Sequence, residues 1–401
     1  MVRKIREVSE FKITALFKGF FTGSQTGGIL LLLCTLISLF TANSIGGIDY
    51  RNFWDTSMPV HAGPVQLEHS LSAWINEGLM ALFFLLVGLE IKREFLVGEL
   101  SNKKTAILPV IAAIGGMIVP AVIYFICNVN SPETIIGAGI PTATDIAFAI
   151  AILGLLGNKI PNALKVFLTA LAIMDDLGAI ILIAVFYGTE FSGFYLILTL
   201  ALFALLMLFN KLKMKSLWYY LPLGILLWYF MLHSGIHATM AGVLLAIAIP
   251  FEGGGHNSAA HILEKFLQKP VNIFIIPIFA LANTAIEIRS EMIPDLLGPE
   301  SLGIILGLFF GKPIGIYLFS KGSQRLKWSQ IPTNITNRKL LGAGILGGIG
   351  FTMSIFVTNL AFDEKNMIDL GKIAILIASA LAAFLGYLLL AYPSRKIDTL
   401  N

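Results

Sequence analysis

The sequence predicts an all-α polytopic membrane protein of about twelve transmembrane helices. Three observations point there. Hydrophobic residues make up 56% of the 401 and charged residues only 13%, against about 25% charged in an ordinary soluble domain. Apolar runs of spanning length recur along the whole chain, giving a mean hydropathy of +0.82. The Lys and Arg residues crowd into alternate connections between those runs, as expected of loops on one side of a membrane. No run shows the strand-length alternation of a porin.

The elements follow in order. "MVRKIREVSEFKITALFKGFF" is basic and amphipathic and reads as a surface helix leading into a retained first span. A signal peptide would need residues 28–42 as its apolar core, behind an unusually long basic stretch. The expected spans are 27–43, 71–90, 106–127, 134–156, 163–187, 193–210, 216–232, 235–250, 271–288, 301–320, 340–361 and 370–392. The connection over 43–70 holds "IDYRNFWDTSMPVHAGPVQLEH", polar and aromatic with strand-like pieces, and is expected to form a periplasmic β-hairpin. "EGGGHNSAAHILEKFLQKP" reads as a Gly hinge with an amphipathic turn or two. No soluble domain interrupts this series, so 1–401 is one transmembrane domain. With the N-terminus inside, 23 of the 28 Lys and Arg face inward. Arg51, Arg289, Lys365 and Lys372 face outward, and Lys312 lies within a span. A missed span would invert every later loop, so the asymmetry supports two cytoplasmic termini. The net charge of +4 is scattered and gives no nucleic-acid surface. Cys34 and Cys127 sit in separate apolar runs, with no disulfide or metal spacing.

Ionisable residues inside the spans are few: Glu77, Asp145, Asp175, Asp176, Lys312 and, near an end, His237, with Glu90 at the inner boundary of the second span. Each costs about 2.5–3.5 kcal/mol at mid-membrane even on lenient scales, and such residues mark cavities and pathways. Asp175 and Asp176 are adjacent in "LTALAIMDDLGAIILIAVF". Neighbours on a helix point about 100° apart, so both can border one cavity without sharing a hydrogen bond. Lys312 lies in "LGIILGLFFGKPIGIYLF", too central to snorkel. A buried ammonium there needs a carboxylate, and the acid pair is the obvious source. Gly303, Gly307, Gly311 and Gly315 recur every four residues, so one face admits another helix closely.

The fourth and eleventh spans are interrupted. "GAGIPTATDIAFAI" sets Gly and Pro ahead of Thr144 and Asp145, and "GAGILGGIGFTMSIF" sets five glycines ahead of Thr352 and Ser354. Unwound backbone at that depth is tolerated only where it lines a cavity, and each break exposes half-helix ends with partial charges. Asp145 can neutralise facing N-terminal ends, and Lys312 facing C-terminal ends. The two spans are seven apart and run oppositely, so spans three to five and ten to twelve form a candidate inverted repeat, which in transporters brackets the site.

These stretches, with "GLMALFFLLVGLEIKREF", "PVIAAIGGMIVPA", "HSGIHATMAGV" and "GKPIGI", closely resemble the NhaA-type sodium–proton antiporters of bacterial inner membranes, in family order over nearly the whole chain. "ATDIAFA" together with "MDDLGA" is highly specific. The resemblance implies crossed, interrupted fourth and eleventh helices, with Asp175 and Asp176 binding sodium or lithium in exchange for protons. It implies that Lys312 pairs with Asp175 when sodium is absent, and that Asp145 and Thr144 support the crossed ends. Glu90, Lys92, Arg93, Glu94, Glu264 and His237 match positions the family links to pH response. The hairpin near 49–65 would mediate homodimer contacts. The run "KFLQKP" after Glu264 lacks the histidines some relatives carry there.

The expected function is therefore electrogenic, pH-dependent antiport across the inner membrane, with transported ions and no cofactor, not enzymatic turnover. An intramembrane aspartyl protease needs its two acids on facing helices, which an adjacent pair cannot supply. A retinal-type pump would use a mid-membrane Lys but fits twelve spans badly. A cation channel is the nearest alternative, though channels build selectivity from rings or rows of sites.

Overall fold

The computed structural model describes residues 26–62, 65–157, 160–188, 191–251 and 258–392. The expected N-terminal surface helix and the glycines of the 252–255 hinge lie outside these. Seven described helices are long and apolar enough to cross a membrane, or up to ten if each of three bent pairs is one span. Helix α1 (Thr26–Ala42) bends by 115° into α2 (Gly47–Asp55). Strands β1 (Val60–Ala62) and β2 (Val65–Leu67) pair antiparallel, with Val60 opposite Leu67. Then come α3 (Leu71–Leu96), α4 (Lys103–Asn128), the pair α5 (Pro132–Thr142) and α6 (Ile146–Leu155), and α7 (Asn162–Phe186). Helices α8 (Gly193–Lys211), α9 (Leu217–Leu232), α10 (Met240–Ala248) and α11 (Ala259–Asn283) follow. The chain ends with α12 (Pro299–Arg325), the pair α13 (Asn337–Gly347) and α14 (Phe351–Ala361), and α15 (Lys365–Ala391).

Three boundaries differ from the sequence reading. The connection after α1 contains the expected strand-like pieces as β1 and β2, but a helix, α2, precedes them. In α2, Trp54 is buried with Tyr50 edge-on to it at 5.9 Å, while Phe53 stays exposed. The ninth span starts at Ala259, not near 271. Ser258 caps it by accepting from His261 N at 3.3 Å, and Leu263 and Leu267 are buried. An amphipathic turn that looked like surface is therefore held by packing, which outweighs its polar composition. In the segment expected to be the eighth span, the chain is helical only from Met240, because residues 233–239 form turns with Gly235 at φ +87°.

Two prolines inside the long helices, Pro277 and Pro313, directly follow widened turns. Lys312 N donates to Gly307 O just before Pro313, and Ile276 N donates to Val271 O just before Pro277. A proline has no N–H for the regular ladder, and a π turn re-routes the neighbouring bonds. The glycine row of α12 packs on α4 and α5 as its spacing implied. A Cβ on Gly315 would lie 2.0 Å from Gly115 O, and one on Gly311 would lie 2.8 Å from Pro120 Cα. Helices α4 and α12 thus meet backbone to backbone, which fixes the depth of Lys312.

Candidate ion-binding site

The breaks of the two bent pairs cross at the centre. Each pair bends by 43°. Ala143, Thr144 and Asp145 separate α5 from α6, and Gly348, Ile349 and Gly350 separate α13 from α14. Asp145 N donates to Ile349 O at 2.7 Å, joining one break to the other. The Asp145 carboxylate then serves two helix ends. Its Oδ1 accepts from Phe148 N at 3.0 Å on α6, and its Oδ2 from Thr352 N at 3.2 Å and Thr352 Oγ1 at 2.5 Å on α14. One carboxylate thus bonds the N-terminal ends of two helices, where helix dipoles favour an acidic group. Thr352 had been noticed only as part of the glycine-rich break. The signal that marks it is its place after the glycines, matching that of Thr144.

Lys312 is fully buried, with Nζ 2.7 Å from Asp175 Oδ2. It also donates to Thr144 Oγ1. Thr144 Oγ1 in turn lies 2.6 Å from Asp175 Oδ2 and 2.8 Å from Gly347 O, the last carbonyl of α13. Lys312 therefore reaches the C-terminal end through a threonine hydroxyl, where direct neutralisation had been expected. The side chain points to Asp175, and Thr144 fills the space between ammonium and carbonyl.

The adjacent acids part ways. Asp175 Oδ2 is taken by Lys312 and Thr144 while its Oδ1 is buried without a partner. Asp176 lines a cleft of about 560 Å³ together with Asp145, Thr352, Glu90 and Arg93. Its Oδ1 is likewise buried and unpartnered. Buried carboxylate oxygens without donors are rare in folded proteins and cost free energy unless something else binds them. Both lie on α7 near a break that supplies hydroxyl and carbonyl oxygens, the oxygen types a hard cation prefers.

The comparisons agree with the geometry. The family described as Na+/H+ antiporter 1 matches residues 18–390. The chain belongs to that family. Within it, this chain is 52% identical to the Na(+)/H(+) antiporter NhaA of Flavobacterium psychrophilum, over 96% of this chain and 98% of the relative. It is 53% identical to the protein of the same name from Dechloromonas aromatica, over 96% and 97%. The Shewanella amazonensis relative is 45% identical over 92% and 95%.

The residues that the family resemblance linked to pH response fall into two places. Arg93, which lines the cleft, bridges Glu264, with Nε 3.3 Å from its Oε1, and Glu94, with Nη2 at 3.0 Å. Glu90 lines the cleft between this group and Asp176. Lys92 instead donates to the carbonyls of Ala246, Ile247 and Ile249, closing the C-terminal end of α10. His237 is not with them. It precedes the opposite end of α10, with Nδ1 3.8 Å from Glu77 Oε1.

Proposed function

We propose that the protein exchanges cytoplasmic sodium or lithium for external protons, by competition at one set of carboxylates. The observation that carries this is the division of the acid pair: Asp175 is occupied by Lys312 and Thr144, while Asp176 lines the cleft with a free oxygen. In the resting site the Lys312 ammonium occupies Asp175. Loss of protons frees carboxylate oxygens, and a partly dehydrated cation takes Asp176 and Asp175 with neighbouring hydroxyl or carbonyl oxygens, displacing Lys312. Either loaded form is close to neutral and can reorient; the bare charged site is too costly to move through a closed state. With two acids and a lysine serving one monovalent ion, more protons enter than sodium ions leave, and the membrane potential contributes to the drive.

The setting proposed for this exchange is a bacterial inner membrane crossed about twelve times, with both termini cytoplasmic. The α4–α7 and α12–α15 segments form an inverted repeat whose rocking alternates access. The residues near 49–65 serve a homodimer contact, and the Arg93 cluster adjusts the response to internal pH. One deep ion-paired site between broken helices suits saturable exchange better than conduction through a channel.

In liposomes with an imposed pH gradient, sodium or lithium dissipates the gradient and potassium does not. No cation-dependent dissipation at pH 8 would sink the proposal. Asp176→Asn reduces exchange to background; full exchange by that variant would place the site elsewhere.

A further inference from the structure

The cleft that reaches Asp176 lies between two groups of helices. Phe83 lines it from α3 and Ile276 from α11, while Asp176 and Thr352 line it from α7 and α14. In the reading above, α7 and α14 belong to the rocking repeat, and α3 and α11 do not. Arg93 and Lys269 also line the cleft, and both belong to the side read as inward from the basic residues.

The same helices meet again beyond the cleft, toward the face of Arg289 and Lys365. Asn76, Asn283 and Asn359 stand there, each seven residues along its helix from Phe83, Ile276 and Thr352. That separation is about 10 Å of helix. The three amides join side chain to side chain. Asn283 Nδ2 donates to Asn76 Oδ1 at 2.9 Å, and Asn359 Nδ2 donates to Asn283 Oδ1 at 2.6 Å. Asn283 also donates to Phe279 O at 3.0 Å, so both its donors and its oxygen are engaged. Asn76 lies in a widened turn, where Met80 N donates to Ile75 O. Trp228 Nε1 donates to Glu77 O at 2.9 Å and ties this turn to α9, another helix outside the repeat. An apolar layer lies beneath the row. Phe279 and Phe356 stand between it and the cleft on their helices, and Phe84 meets Phe356 from α3. The rings are buried, with centres 5.2 Å apart for Phe84 and Phe356 and 6.4 Å for Phe279 and Phe356.

The bond from Asn359 to Asn283 crosses from the repeat to the helices it rocks against. Apolar side chains would serve static packing, and a buried amide is costly unless paired. A paired one sets a single register and gives way to water when the helices part, because its net strength is modest. It is also neutral, so it offers a passing sodium ion no rival charge. Lys365 Nζ also reaches across the groups, 3.3 Å from Asp55 Oδ2 on α2, but both side chains are exposed and such pairs hold little.

We propose that Asn76, Asn283 and Asn359, with the phenyl layer of Phe84, Phe279 and Phe356, are the outer gate of the ion site. Parting of Asn359 from Asn283 opens the site to the outer solution, and their closure confines it to the inner one. This rests on the antiport reading above.

The test uses the full chain in proteoliposomes of defined sidedness, with Cys34 and Cys127 replaced by Ser. Asn283→Cys and Asn359→Cys are combined, and their thiols are joined by a short, reducible bifunctional reagent. Exchange is expected to fall about tenfold or more when the bridge forms, because the gate can no longer open. It returns on reduction, and sodium binding from the inner side stays at the unbridged value. Full exchange with the bridge in place overturns the proposal. A second arm needs no transport. Met353→Cys puts a thiol in the cleft wall, and a membrane-impermeant thiol reagent is added from outside. Adding Asn359→Ala is expected to speed this labelling about two- to tenfold, the range that one lost hydrogen bond allows. A row that only steadied the helices would lower thermal stability and leave outer labelling at its parent rate, and that result overturns the proposal. Should Asn359→Ala fail to fold, the bridging arm decides alone. A wild-type protein without any cation-coupled proton flux would instead refute the antiport reading and leave the labelling arm to judge the gate.

Discussion

Replacing Lys312 by Met removes the one cation bonded to Asp175. Both side chains are fully buried, and Nζ lies 2.7 Å from Oδ2. Taking one partner from a buried pair costs about 3–5 kcal/mol, because the remaining charge keeps its desolvation penalty. For a chain of 401 residues, with about 2.1 cal/mol/K of unfolding entropy per residue, this lowers the unfolding midpoint by roughly 4–6 °C. The double variant Lys312→Met with Asp175→Asn removes the orphaned charge as well. It is expected to regain about 1–3 kcal/mol relative to the sum of the single changes. Thermal unfolding of the detergent-solubilised protein, without sodium, reads all four corners of this cycle. A Lys312→Met midpoint equal to the wild type, or single effects that simply add, would refute the ion pair as the element that stabilises the empty site.

Two further changes probe the frame around it. Thr352→Val deletes the 2.5 Å hydrogen bond to Asp145 and leaves the carboxylate one donor short, an expected loss of about 1.5–3 kcal/mol in thermal stability; Thr352→Ser should keep most of it. Gly315→Ala places a methyl 2.0 Å from Gly115 O, forcing α4 and α12 apart at a cost of about 1–3 kcal/mol. Wild-type stability in that variant would show that the two backbones are not in contact.

Much of this arrangement could be read from the chain. The four-residue glycine spacing on α12 announced a close helix neighbour, and Gly311 and Gly315 do meet α4 backbone. The Gly and Pro clusters ahead of Thr144 and Thr352 located both breaks, because only backbone freed from a regular ladder needs such residues at that depth. Other features depended on contacts between segments far apart in sequence. Nothing local to "MDDLGA" says which acid meets Lys312; that follows from how α12 is seated on α4. Hydropathy could not place the start of α11, since Glu264, Lys265 and Gln268 lower it while Leu263 and Leu267 anchor the turn from the other face. His237 and Glu264 share a family association, yet the fold sets them apart, because α10 stands between His237 and the Lys92 contact.

Asp145 bears on more than the two helix ends it neutralises. With one carboxylate bonded to α6 and α14, and its own N–H bonded to Ile349 O, neither break can slide past the other without stripping both ends at once. The crossing is therefore fastened like a clasp by that one side chain. The regular ladder is already broken elsewhere, at the widened turns before Pro277 and Pro313. The centre of the crossing is thus tied by one side chain to two helices, while the irregular turns before Pro277 and Pro313 lie outside that knot.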